Sequence, residues 1–154
     1  MLRLVLDTNV VLDLFHWTNT DAVPIMAALE AGRIACFADR RTLDELQRVL
    51  SYPQLKLTPA LIAERYARYS SLVRQLPEGD SPPLPRCKDR DDQKFLELAA
   101  RCEADLLVSK DKALLKLRGR TKLGFQIVKP AAAVSRIVAA TANGPETRCS
   151  RQEN

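Results

Sequence analysis

The chain has one histidine, no closely spaced cysteines and no long apolar run, and each shortage removes a class of function. Its apolar stretches are brief: Leu2–Leu6 is broken by Arg3, and Leu106–Val108 stops at once, far short of the roughly 20 residues that a membrane span requires. Cys36, Cys87, Cys102 and Cys149 are widely separated, with no Cys-x-x-Cys pair and no second histidine, which argues against structural zinc and against a disulfide framework. A Ser-His-Asp or Cys-His mechanism would hang on His16 alone, and its neighbours Phe15 and Trp17 assign that residue to a helix face. Internal repeats are missing too. The opening Met-Leu-Arg-Leu-Val-Leu-Asp lacks the basic, apolar and small-residue zones of a secretory leader, so the expected location is the cytoplasm, with no membrane partner.

What remains is an ordinary globular composition. With 46% hydrophobic and 28% charged residues, neither disorder nor membrane insertion is indicated, and 154 residues correspond to one domain. The expected boundaries are 1–141 for the domain and 142–154 for a polar, flexible tail. A net charge of +5 favours polyanionic partners through phosphate contacts and counterion release.

Periodicity sets strands and helices in alternation. Leu2–Leu6 reads as a buried strand that ends at Asp7-Thr8-Asn9, where a helix starts and continues through Val10–Phe15. A helix over Ala22–Ala31 stops at Gly32, and Ile34–Phe37 is a second strand. Thr42-Leu43-Asp44-Glu45 matches a capping box, predicting a helix over residues 42–50 with Glu45 as the reciprocal partner of Thr42. Thr58-Pro59 opens another helix, whose apolar positions continue to Leu76. After the proline-rich connector Pro77–Pro85, a helix over Asp89–Arg101 leads to strand Asp105–Val108, and a further helix begins at Ser109–Asp111. Strand Phe125–Val128 and helix Pro130–Ala140 close the fold. The pattern predicts the α/β class, with helices on both faces of a mostly parallel sheet.

In such sheets ligands bind outside the carboxyl ends of the strands. Asp7 and Asp111 follow strand ends, while Glu45 and Asp92 sit near helix N-termini directed towards the same crevice. Each acid alone also fits a helix cap. Four of them at switch positions of one sheet would repel one another and raise their pKa values, for which a divalent cation is the natural remedy. Oxygen-only ligation selects Mg²⁺ or Mn²⁺, and these ions bind phosphate oxygens readily. The implied chemistry is phosphodiester hydrolysis.

The segments Leu4-Val5-Leu6-Asp7-Thr8-Asn9-Val10, Leu43-Asp44-Glu45-Leu46, Asp91 to Ala99 and Asp105 to Asp111 resemble, in order and spacing, the four signatures of the PIN-domain family. The chain is especially similar to the branch of toxin–antitoxin toxins, the VapC-like ribonucleases. The likeness spans roughly residues 2–130. It implies a three-layer α/β/α sandwich that binds one or two Mg²⁺ or Mn²⁺ ions and cleaves single-stranded RNA, with a cognate antitoxin as partner and a homodimer as the assembly. In this carry-over Asp7 and Asp92 are the principal metal ligands, Glu45 and Asp111 complete the shell, and Asn9 and Ser109 support it. Asp92 is preferred over Asp89 and Asp91 because it lies three residues before Phe95 and seven before Ala99, as the family signature requires. Asp105 is expected to be structural.

Other readings fit less well. An EF-hand starting in this acidic run lacks the required glycine and glutamate, having Lys94 and Ala100 there. A phosphohydrolase with an aspartyl nucleophile expects Asp-x-Asp after the first strand, where this chain has Asn9. A non-catalytic RNA- or partner-binding module on the same scaffold is the alternative outside catalysis. For the RNA, basic residues crowd the acids: Lys110, Lys112, Lys116, Arg118, Arg120 and Lys122 run past Asp111, Arg40, Arg41 and Arg48 flank Glu45, and Arg86, Lys88 and Arg90 precede Asp92. Lys110, Lys112, Lys116 and Arg41 are the expected RNA contacts. Trp17, Tyr66 and Tyr69 are aromatic candidates for stacking, the tyrosines being better suited to the core by their helical spacing.

Overall fold

The computed structural model describes residues 1–16, 18–119 and 123–142. Trp17, Arg120, Lys122, Cys149 and the expected tail from residue 143 onward lie outside these residues. Five strands, β1 (Leu2–Leu6), β2 (Ile34–Ala38), β3 (Arg74–Gln75), β4 (Leu106–Val108) and β5 (Gln126–Val128), form one parallel sheet in the order β3-β2-β1-β4-β5. The chain therefore builds outward from β1 in one direction, returns, and builds outward in the other. The switch point falls between β1 and β4, the position at which an open parallel sheet leaves a crevice at its carboxyl edge.

Alternation along β1 separates two cores. Leu4 and Leu6 face a cluster with Val10 of α1 (Thr8–Leu14), Ile25 of α2 (Ala22–Glu30), Leu46 of α3 (Arg40–Leu50), Tyr69 of α4 (Pro59–Leu72) and Ile137 of α7 (Pro130–Ala142). Val5 faces the opposite cluster with Phe95 and Leu98 of α5 (Gln93–Arg101), and Leu114 of α6 (Lys112–Leu115). Because each face of the central strands is covered, those strands read as continuous apolar runs. The three-layer α/β/α arrangement agrees with expectation. Tyr69 is a core residue, its hydroxyl 3.5 Å from the Cys36 thiol, and Tyr66 packs against the same cluster. Among the described residues Cys36, Cys87 and Cys102 are free thiols, and no helix is long and apolar enough to cross a membrane.

Three local expectations are corrected. First, α4 ends at Leu72 rather than Leu76, and Arg74–Gln75 becomes the edge strand β3, paired with Phe37 and Ala38. Val73 enters one core and Leu76 packs against the other, a division between sheet faces that helical apolar spacing does not reveal. Second, α3 begins at Arg40, and its capping box joins Asp39 to Thr42: the Thr42 amide donates to Asp39 Oδ1 and the Asp39 amide to Thr42 Oγ1, both at 3.0 Å. Glu45 therefore has no capping duty. Third, His16 lies exposed in the turn after α1, not on a helix face.

Candidate metal centre

Asp7 terminates β1 and is only 3% exposed, with its amide bonded to the Val108 carbonyl of β4. Although it occupies the N-cap of α1, its side chain makes no capping hydrogen bond. It instead accepts a 2.7 Å hydrogen bond at Oδ2 from the hydroxyl of buried Ser109, which follows β4. The same hydroxyl accepts the Asp111 amide at 2.9 Å, so one serine ties the two central strand ends together. Burial raises the pKa of Asp7 against the opposing effect of this bond, and the negative charges of Glu45 and Asp111 raise it further.

Asp92 closes a 3₁₀ turn over Arg90–Asp92 at the start of α5, again without capping the helix. It is 8% exposed, and its Oδ2 is the sole buried side-chain oxygen or nitrogen among the described residues that lacks a hydrogen-bond partner. Buried oxygens are rarely left so. Desolvation, followed by repulsion from Asp7, Asp111 and Asp89, pushes the Asp92 carboxyl up to about 7. Carboxylate oxygens of Asp89, Asp92 and Asp111 lie within 4.8 Å of one another. Asp111 also caps α6, accepting the Ala113 amide at 2.7 Å, and Asp89 accepts the Asp91 amide at 3.0 Å. Both therefore retain oxygen lone pairs for a cation.

Glu45, whose charge acts on Asp7, has partners of its own. Its Oε1 is 2.7 Å from Lys94 Nζ and 3.8 Å from Arg48, while Oε2 accepts the Thr8 hydroxyl. The structure thus brings Asp92 and Asp111 together with Asp89 and sets the Asp7 charge against them, while Glu45, paired with Lys94 and Arg48, adds its charge to the field at Asp7. Thr8 makes the contact to Glu45, whereas Asn9 is exposed on α1. Sequence reasoning misses Thr8 and Lys94; 37 residues separate Thr8 from Glu45 and 49 separate Lys94 from it, so no local pattern reports these contacts. Asp105 has the structural duty expected of it, accepting the Arg3 amide at 2.7 Å across the amino end of the sheet.

Two of the expected RNA contacts already have acidic partners. Lys110 Nζ is 2.5 Å from Asp13, and Arg41 is 2.7 Å from Glu97. Lys112 and Lys116 are exposed.

The donor set is oxygen-only, one buried oxygen has no partner, and several carboxylates share a small volume. Such a set fits a hard divalent cation, which would satisfy the orphaned oxygen and offset the repulsion together. Fold and crevice define a class of α/β domain with an acidic, cation-receptive switch point. The chain belongs to the PIN-domain family, whose model, described as PIN domain, matches residues 3–113. That range contains Asp7, Glu45, Asp89, Asp92 and Asp111, and PIN domains are in general divalent-metal-dependent nucleases. Among solved structures, the crystal structure of PAE2754 from Pyrobaculum aerophilum is similar, with a TM-score of 0.57 and 17% identity over 90% of each chain. Comparison with curated proteins returned no match.

Proposed function

We propose that this protein is a divalent-metal-dependent endoribonuclease that hydrolyses phosphodiester bonds of single-stranded RNA. The observation that carries the reading is the partnerless oxygen of nine-tenths buried Asp92, set among Asp89, Asp111 and the charge of Asp7. Asp7, Asp92 and Asp111 are the proposed ligands, and Asp89 joins them because its carboxylate shares their volume. Glu45, held by Lys94 and Thr8, borders the site and adjusts its charge. Mg²⁺ or Mn²⁺, as one ion or two, would supply Lewis acidity toward a phosphate oxygen and lower the pKa of a water molecule. The carboxylates would hold the ion, orient a water for attack on phosphorus and accept its proton, while the bond to the ribose oxygen breaks and that oxygen takes up a proton from solvent. Ser109 holds Asp7 in place for this work, and the exposed Lys112 and Lys116 are suited to phosphates of the same strand.

The resemblance of the four acidic segments to the toxin branch supports a role as the toxin of a type II toxin–antitoxin pair, acting in the cytoplasm and neutralised by a cognate antitoxin. A homodimer is the assembly proposed with it. The direct test is cleavage of single-stranded RNA by purified protein with Mg²⁺, with Mn²⁺ and with EDTA. Cleavage with either ion and its loss in EDTA is the expected result; equal cleavage in EDTA excludes the metal mechanism. Growth arrest on expression, relieved by a protein encoded next to the gene, is the expected sign of the toxin role.

A further inference from the structure

The stretch Arg86-Cys87-Lys88-Asp89-Arg90 alternates basic residues with others, and the structure sorts them. Asp89 joins the acidic cluster, whereas Arg86, Lys88 and Arg90 line a cleft of about 510 Å³ together with Cys87 and Gln93. All three basic residues are exposed, and none forms an ion pair among the described residues. Their situation differs from that of Lys94, Lys110, Arg41 and Arg101, each of which has an acid within 3.3 Å. The cleft wall is also pinned. Gln93, the first residue of α5, accepts the Cys87 amide at 2.7 Å through Oε1 and donates to the Pro85 carbonyl at 3.2 Å through Nε2. Both ends of its amide are thereby used to fix the turn that carries the basic side chains. Asp89, which belongs to the acidic cluster, stands in the chain between Lys88 and Arg90, which line the cleft, so the cleft adjoins the acids.

We infer that the Arg86–Lys88–Arg90 cleft is a phosphate subsite that takes the backbone phosphate neighbouring the one at the acidic centre, with Gln93 as its positioning residue. This rests on the ribonuclease reading above and extends it to substrate length. The acids need a cation before they accept one phosphate, and they repel the next one along the strand. Three cationic side chains at the border of the acids offset that repulsion through charge-assisted hydrogen bonds. A substrate with a single phosphate leaves the cleft empty, so the enzyme should prefer an oligoribonucleotide over a dinucleoside monophosphate.

The test compares wild type, the triple variant Arg86→Ala, Lys88→Ala, Arg90→Ala, and Arg33→Ala, whose removed charge precedes β2 at the amino edge of the sheet. Mn²⁺-dependent cleavage of a short unstructured oligoribonucleotide and of a dinucleoside monophosphate is followed across a salt series, and the thermal shift with Mn²⁺ alone is recorded. In the triple variant kcat/KM for the oligomer should fall on the order of tenfold or more, towards the value for the dinucleoside, which itself changes little. The salt slope should flatten by roughly 0.7 for each phosphate that is no longer neutralised, and the Mn²⁺ shift should match wild type. Arg33→Ala should keep the length preference. A triple variant that keeps both length preference and salt slope overturns the subsite, as does one without the Mn²⁺ shift, since the loop would then serve the metal centre. Absence of metal-dependent cleavage by wild type itself is a different failure, that of the ribonuclease reading.

Discussion

At the scale of single residues, Asp92 carries the largest consequence. Its carboxyl sits near 7 in the metal-free fold, well above the ordinary 3.8. Between these values the folded protein holds a proton that the unfolded chain has released, so stability falls as pH rises from about 4 to 7, and Asp92 contributes its full destabilisation above that window. Asp7 is shifted in the same direction and adds to the slope. Urea unfolding of EDTA-treated protein at pH 5 and pH 8 should therefore show the lower stability at pH 8. Asp92→Asn removes the titration and one repelling charge, so its profile should be flatter and its metal-free stability at pH 8 at least that of wild type. RNA cleavage and the Mn²⁺ thermal shift should largely disappear in the same variant; retention of both would remove Asp92 from the ligand set. Ser109→Ala leaves buried Asp7 without its hydroxyl donor and should cost about 1–3 kcal/mol in the same unfolding experiment.

Among the secondary-structure elements, α3 and its cap are bound to α5 by three charge pairs. Lys94–Glu45 and Arg41–Glu97 are each at 2.7 Å, and Arg101–Asp39 is at 3.3 Å, with both side chains of the last pair largely buried. Asp39 also caps α3 through Thr42, so a single carboxylate orders the helix that presents Glu45. Asp39→Ala removes the cap and leaves the Arg101 charge unpaired, with an expected loss of about 3–5 kcal/mol, while Asp39→Asn retains the cap and should lose less. Denaturant midpoints of the two variants test that ordering, and equal losses would show that the ion pair rather than the cap governs this corner. The same corner explains why local spacing misplaces the start of α3: Thr42 with Glu45 has the spacing of a capping box, but Asp39 with Thr42 also does. The choice falls to Asp39 because β2 ends there, at Ala38, with Arg101 waiting across the sheet edge.

Across the whole molecule, ion binding and folding are linked. A cation that binds only the folded state, at 100 times its dissociation constant, adds about 2.7 kcal/mol. Its ligands must be deprotonated, so the stabilisation by Mn²⁺ should be greater at pH 8 than at pH 5.5. Thermal unfolding with and without Mn²⁺ at the two pH values measures this, and a shift independent of pH would separate binding from the Asp92 cluster. The core should report independently of the ion. Leu106, fully buried in β4 between the two neighbouring strands, should lose about 2–5 kcal/mol on change to Ala, with or without Mn²⁺.

The alternation of apolar runs with helical periodicity is enough to specify a parallel α/β sheet and to put Asp7 and Asp111 at strand ends, because buried strands and amphipathic helices write their burial into local spacing. The edge strand β3 leaves no such record, since its two exposed polar residues pair only because Phe37 and Ala38 are beside them. The acids can be named from their place at the strand ends and from the order of the four segments. Which of them share one volume is decided by three-dimensional packing: the turn at Arg90–Asp92 brings Asp89 in with Asp92, and Lys94 and Thr8 fix the Glu45 carboxylate. Those interactions of Glu45 join positions tens of residues apart, and a carboxylate's charge state depends on burial and neighbouring charges, quantities that exist only once the chain has folded.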